Sequence, residues 1–361
     1  MNVAIAHEWL LTYGGSERCV EQMLEEFNVT KLLTALVRPD ALPPSFRTAR
    51  PTLLQHLPGA VDHHEWTLPL LPFAWAALPA ISDVDIVISS SHSCAKSVRI
   101  APGIPHVCYC HTPMRYAWHW EEERKRLPAA LQPAGRLAMS AFRRWDRWTA
   151  QNVDRMVANS SAVAERIRRF YGLDSAVVHP PVKTDFFRPG EGERHGFLHV
   201  GRLVSYKRAD LVVEAFRGLP HELTVVGTGQ LENELRATAP GNVRFIRSVT
   251  DEELRELYRS SLGLVFPGVE DFGIVMAEAQ ACGTPVIASA AGGARDIIRD
   301  DSGWLLEKPT IESIRKAVAL AAREPFQAED IAAAAAARFS EERFRTELRA
   351  VVEETLASKA R

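Results

Sequence analysis

Between residues 196 and 306 the chain alternates short apolar runs with amphipathic stretches, a rhythm that leaves few folds open. Strands are expected at residues 196–200, 222–226, 243–246, 262–266, 285–289 and 303–306, each pair separated by enough chain for a crossover helix. Such alternation makes a doubly wound parallel sheet, which binds ligands at its carboxyl edge.

The most informative unit within it is 264–296, LVFPGVEDFGIVMAEAQACGTPVIASAAGGARD. An apolar strand breaks at Pro267-Gly268, Glu270 and Asp271 fall in the loop, and a short helix follows that ends at Cys282-Gly283. A helix start with a glycine, here Gly273-Ile274-Val275, favours an anion. Glu278 is out of place, because Ile274, Val275, Ala281 and Cys282 surround it at helical spacing and put a carboxylate on an apolar face. Such a group needs donors, and taken alone it reads as a helix-end acid paired with an arginine. Arg202 and Lys207, in HVGRLVSYKRAD, follow a strand and precede a helix. Two cations at such an edge can neutralise a pyrophosphate.

The length of 361 residues suits two domains of moderate size. With 46% hydrophobic and 24% charged residues the composition is that of an ordinary globular protein, and a net charge of −2 argues against a dedicated nucleic-acid binder. The chain enters a strand pattern at once with no signal-like run, so a cytoplasmic protein is expected. Five cysteines fit free thiols in a reducing compartment. His106, Cys108 and Cys110 alternate along one strand face, yet no second ligand pair stands at usable spacing, so no metal is expected.

In chain order, a strand at residues 3–6 runs through His7-Glu8-Trp9 to Gly14-Gly15, and Ser16 is placed to cap a helix over 17–27. The glycine pair lets a ligand approach the backbone, although GGSERC lacks the dinucleotide fingerprint. Residues 68–81, LPLLPFAWAALPAI, are too short to span a membrane and contain prolines, so core or interfacial packing is expected. Strands at 84–90 and 107–110 run into Ser-Ser-Ser-His and His111-Thr112-Pro113, polar groups at one sheet edge. Residues 115–148 interleave Trp118, Trp120, Trp145 and Trp148 with basic residues. That pattern is open to nucleic acid, a membrane surface, a carbohydrate platform or tryptophans packed inward. A strand at 155–159 leads to a basic helix, the proline-rich segment 177–187 reads as the link between domains, and 340–361 as a long charged helix.

Glu270 and Glu278, in the frame E-D-F-G-I-V-M-A-E followed by A-C-G-T-P-V-I-A-S, resemble the signature of retaining family 4 glycosyltransferases of the GT-B fold. The loop from Gly14 to Arg18, the YCHTPMRY stretch, the G-R-L-x-x-x-K frame, VVGTGQLENELR and FIRSVTDEEL are similar to that family too. The likeness covers nearly the whole chain and is densest over 177–306. It implies an α/β fold of two Rossmann-like doubly wound domains facing across a cleft. These would be an acceptor-side domain at 1–180, a nucleotide-sugar domain at 181–340, and a terminal helix at 341–361 that returns to the first. It implies that His111 and Glu270 are the candidate catalytic residues, positioning and stabilising the sugar, and that Glu278 takes the ribose hydroxyls. It further implies that Arg202 and Lys207 take up diphosphate charge in place of a metal, and that Gly273, Ile274 and Val275 meet phosphate. Gly14 and Gly15 would lie near the donor phosphate and the acceptor, and Val249 beside the nucleobase. No metal and no cofactor are expected.

The resemblance therefore points to retaining transfer of a hexose from a nucleoside-diphosphate sugar. GDP-mannose comes first, because YCHTPMRYAW and VVHPPV are similar to mannosyltransferase-like members. The acceptor would be a carbohydrate, lipid-linked or small-molecule hydroxyl. The rival readings are a catalytically silent sugar-nucleotide-binding protein and a dinucleotide-dependent oxidoreductase. Nucleic acid is not an expected partner. Peripheral contact with the inner face of a membrane, through the first domain, is compatible with the expected cytoplasmic location.

Overall fold

The computed structural model describes residues 1–120, 124, 128–324 and 326–359. The chain divides into two compact units, one formed by Met1–His179 together with the stretch from Phe344 onward, the other by Pro180–Arg343. The change of unit falls inside the proline-rich segment: Val178 N–H still donates to Ala158 in the first unit, and Pro180 opens the second.

Among its described residues the first unit holds seven parallel strands, β1 (Asn2–His7), β2 (Asn28–Thr34), β3 (Ala49–Pro51), β4 (Ile86–Ser91), β5 (His106–Cys110), β6 (Arg155–Ala158) and β7 (Ser175–Val177). Their order is β3-β2-β1-β4-β5-β6-β7. Sheets covered on both faces select continuous apolar runs, and the inner strands β4 and β5 are buried along their whole length. The order reverses at β1, whose register with β4 puts His7 opposite Ser90 at the carboxyl edge. Phe344, Leu348 and Val352 of the terminal helix Glu341–Lys359 lie in the same core as Ile5 and Tyr109.

One local expectation is corrected here. The first helix is Gly15–Glu26, with Gly14 rather than Ser16 at its N-cap. The Glu17 carboxylate accepts from the Gly14 N–H at 3.0 Å and closes the first turn early, and the Ser16 hydroxyl donates to the same carboxylate instead of to the backbone. Within residues 68–81, the helix Leu71–Ala77 buries Leu71 and Trp75 but leaves Phe73 exposed. Of the four tryptophans at 115–148, Trp120 is buried, Trp118 and Trp145 pack partly buried against the core, and Trp148 is exposed. Lys125 and Arg126 of that segment lie outside the described residues. Among the described residues no helix is long and apolar enough to cross a membrane.

The second unit has the six expected strands, each within one residue of its expected start. They are β8 (Phe197–Val200), β9 (Leu223–Val226), β10 (Val243–Ile246), β11 (Gly263–Phe266), β12 (Val286–Ser289) and β13 (Gly303–Leu306). All pair in parallel, in the order β10-β9-β8-β11-β12-β13. The switch point lies between β8 and β11, where the loops carrying Lys207 and Glu270 begin.

Candidate active site

At the switch point of the second unit, Lys207 Nζ forms an ion pair with Glu270 Oε1, both side chains more than three-quarters covered. The ammonium also stands 5.1 Å from the centre of the Phe266 ring, so the pair sits against apolar surface where charge is weakly screened. Arg202 is exposed and donates from Nη2 at 2.9 Å to the hydroxyl of Tyr206, the residue before Lys207. Arg208, the next residue, takes a left-handed φ of 56°, a conformation uncommon outside glycine.

Two glycines hold this loop in place. Gly292 has φ +63°, and a Cβ there would stand 2.1 Å from the carbonyl oxygen of Glu270. The neighbouring Gly293 N–H donates to that same oxygen at 3.0 Å, so the backbone of Glu270 is pinned from the loop after β12. Gly273 has φ +96° at the N-cap of the helix Ile274–Ala281, and a Cβ there would lie 2.1 Å from the Met276 methyl. Ile274 and Val275 open that helix partly buried. Four residues on, Glu278 is buried, and its Oε2 accepts from the hydroxyl of Tyr258, at 3.2 Å, on the helix Asp251–Ser260. Val249, in the loop after β10, packs partly buried against the core that contains Tyr258 and Met276.

The first unit assembles a second cluster at the β1/β4 edge. His111 follows β5, and its Nε2 lies 2.8 Å from Ser90 Oγ. Ser90 Oγ lies 3.0 Å from His7 Nδ1, and Glu17 Oε1 stands 3.5 Å from His7 Nε2. Gly14 and Gly15 belong to the same cluster through the turn that Glu17 closes. Burial pushes His111 down to about 3, helped by His7 and His92 and opposed by Glu17, although part of its surface stays open. Burial alone would raise the Glu17 carboxyl. The nearby His7 ring, with the residue's own backbone amide and Ser16, holds it below the ordinary value. Next to this chain, Glu8 Oε1 accepts from Ser91 Oγ, Ser93 N–H and Ala95 N–H, each at 2.8 Å, and fixes the loop after β4.

His106 Nε2 pairs with Ser89 Oγ at 2.8 Å, and Cys108 and Cys110 pack in an apolar cluster. Among the described residues no three His, Cys, Asp or Glu side chains stand together as a metal-ligand group. The residues of these clusters that the motifs do not single out are His7, Glu8, Ser90 and Gly292. Their signal was the polar ends of the apolar strands β1 and β4, and a second glycine pair at 292–293.

Comparison with known proteins gives the family. A family model described as Glycosyltransferase Family 4 matches residues 13–186, and one described as Glycosyl transferases group 1 matches residues 182–338. The D-inositol 3-phosphate glycosyltransferase of Streptomyces bingchenggensis is 35% identical over 188 residues, covering 42% of this chain and 41% of that protein. The protein of that name from Mycobacterium tuberculosis (strain ATCC 25177 / H37Ra) is 31% identical over 183 residues, covering 43% of this chain and 38% of that protein. The match thus spans about two fifths of the length of these curated relatives. Among solved structures, sucrose-phosphate synthase from Thermosynechococcus elongatus superposes with a TM-score of 0.74 at 16% identity, over 99% of this chain and 100% of that one. HepE of Anabaena, in complex with UDP and glucose, gives 0.71 at 15% identity, over 98% and 100%. The two matched models lie end to end along the two parallel-sheet units, and the chain belongs to the family 4 glycosyltransferases of the GT-B fold.

Proposed function

We propose that this protein transfers a hexose from a nucleoside-diphosphate sugar to a hydroxyl acceptor with retention at the anomeric carbon. The observation that carries the reading is the Lys207–Glu270 ion pair at the β8/β11 switch point, next to the glycine-capped helix start at Gly273. It sets a cation suited to a leaving diphosphate against a carboxylate suited to a sugar that gains positive charge. In the proposed step the bond from the anomeric carbon to the diphosphate oxygen breaks while the acceptor oxygen bonds on the same face. The acceptor's proton passes to the departing phosphate oxygen. Arg202 and Lys207 hold the charge released, so the step needs no metal. Ribose hydroxyls donate to Glu278, and His111 meets a hydroxyl of the sugar.

GDP-mannose is the first donor to test, from the motif likeness. UDP-glucose is the second, because HepE was solved with UDP and glucose. The name of the inositol phosphate relatives puts a phosphorylated polyol beside carbohydrate and lipid-linked acceptors. Peripheral membrane contact through the first unit belongs to the same proposal and is tested by vesicle flotation. The deciding experiment is a panel of sugar nucleotides, read by melting temperature and by release of nucleoside diphosphate. Stabilisation with turnover supports transfer, and stabilisation without turnover by any donor means a silent binder. A shift with a nicotinamide dinucleotide and none with any sugar nucleotide would overturn the reading.

A further inference from the structure

His7, Ser90 and His111 form a chain in which two imidazoles share one hydroxyl. A serine hydroxyl has a single proton, so Ser90 can donate to only one of the two ring nitrogens it touches and must accept from the other. The choice is settled further back. His7 is fully buried, and its Nε2 faces Glu17 Oε1 at 3.5 Å with no other polar partner among the described residues. Two acceptors facing each other in a dry site would repel, so Nε2 carries a proton toward the carboxylate. With one proton on that ring, Nδ1 is bare and takes the Ser90 hydroxyl, and Ser90 Oγ then accepts from His111 Nε2–H. Every atom along the path is matched, and the only charge is that of Glu17. The reverse order would make His7 a buried cation beside His92 and His111, a second charge withdrawn from water.

We propose that Ser90 and His7 are positioning residues, oriented by Glu17, that hold His111 as its Nε2–H tautomer and leave Nδ1 as a hydrogen-bond acceptor. His111 then receives a proton from a hydroxyl, of the transferred sugar or of the acceptor alcohol. It cannot donate from Nδ1 to a phosphate. The inference deepens the transferase reading, and its kinetic arm rests on that reading, but its spectroscopic arm does not.

The test is long-range nitrogen–proton NMR of the full-length protein labelled at histidine, with His111 assigned by loss of its signals in His111→Asn. The expected wild-type pattern is a neutral ring protonated at Nε2, and a ring protonated at Nδ1 would overturn the inference before any variant is made. In Ser90→Ala the tautomer preference should weaken and kcat should fall about tenfold, the worth of one lost hydrogen bond, with donor KM within about twofold. Ser90→Thr keeps the hydroxyl and should restore both. An unchanged tautomer and kcat in a folded Ser90→Ala protein would contradict the assignment. If the wild type turns over no donor, the transferase reading fails while the NMR pattern still decides the tautomer.

Discussion

Lys207 Nζ and Glu270 Oε1 form an ion pair that joins the loop after β8 to the loop after β11 across the switch point of the second sheet. Neither partner is free to be read alone. Lys207 holds the Glu270 carboxylate in place, and an incoming diphosphate would compete for the same ammonium. Under the proposed function the pair would couple donor binding to the freedom of the Glu270 carboxylate.

The two acids should separate in kinetics. Glu278→Gln keeps the side-chain size but gives up charge-assisted bonds, so donor affinity should fall by about 1.5–3 kcal/mol with kcat little changed. Glu270→Gln removes charge beside the reacting sugar, and the loss should appear chiefly in kcat. Steady-state kinetics on both variants, with folding checked by melting temperature, reads the split. Full kcat in Glu270→Gln together with unchanged donor KM in Glu278→Gln would make both acids structural.

Much of this was legible beforehand, for a physical reason. Strands covered on both faces, such as β11 (GLVF) and β12 (VIAS), must be continuous apolar runs, and they were placed to within a residue. The expected strands left out β2, β3 and β7. β2 reads NVTKLLT and is only partly covered over most of its length, while β3 and β7 have three residues each and carry no period. The acids and cations of the second unit lay in contiguous motifs. The His7–Ser90–His111 chain did not, because parallel register rather than sequence proximity brings residues 83 positions apart into contact.

Gly292→Ala should damage the site from a distance. The new Cβ meets the Glu270 carbonyl and must be held in the left-handed region that Gly292 already occupies, which costs about 1–2 kcal/mol before any clash is relieved. The melting temperature should fall and kcat should drop with Glu270 displaced. A variant with wild-type kcat would show that the loop at 292 does not set the position of Glu270.

Stability should decline in mild acid. Burial holds His106 and His199 at about 4 and His111 at about 3, while the unfolded imidazoles titrate near 6.5. Below that value the unfolded chain takes up protons that the folded one refuses, so each histidine subtracts about 1.4 kcal/mol per pH unit as pH falls toward the folded value. Above pH 7 the rings are neutral in both states, and the subtraction vanishes. Urea unfolding at pH 7 and pH 5 checks it, and an equal or higher midpoint at pH 5 would contradict the burial of these rings.

Chelation should leave activity essentially intact, because Arg202 and Lys207 supply the positive charge that a metal would otherwise bring. Loss of turnover in EDTA, restored by magnesium or manganese, would overturn this. Glu270 and Asp271 would then be the suspected ligands.

The central claim is that the donor's diphosphate is held at Lys207, and calorimetric titration of the wild type and Lys207→Ala with GDP-mannose and UDP-glucose tests it most directly. The account predicts that one of the two binds the wild type and that the variant, folded by melting temperature, binds it at least about tenfold more weakly, as expected for a lost charge-assisted contact. Equal affinity in both proteins, or binding of neither donor to the wild type, would contradict it.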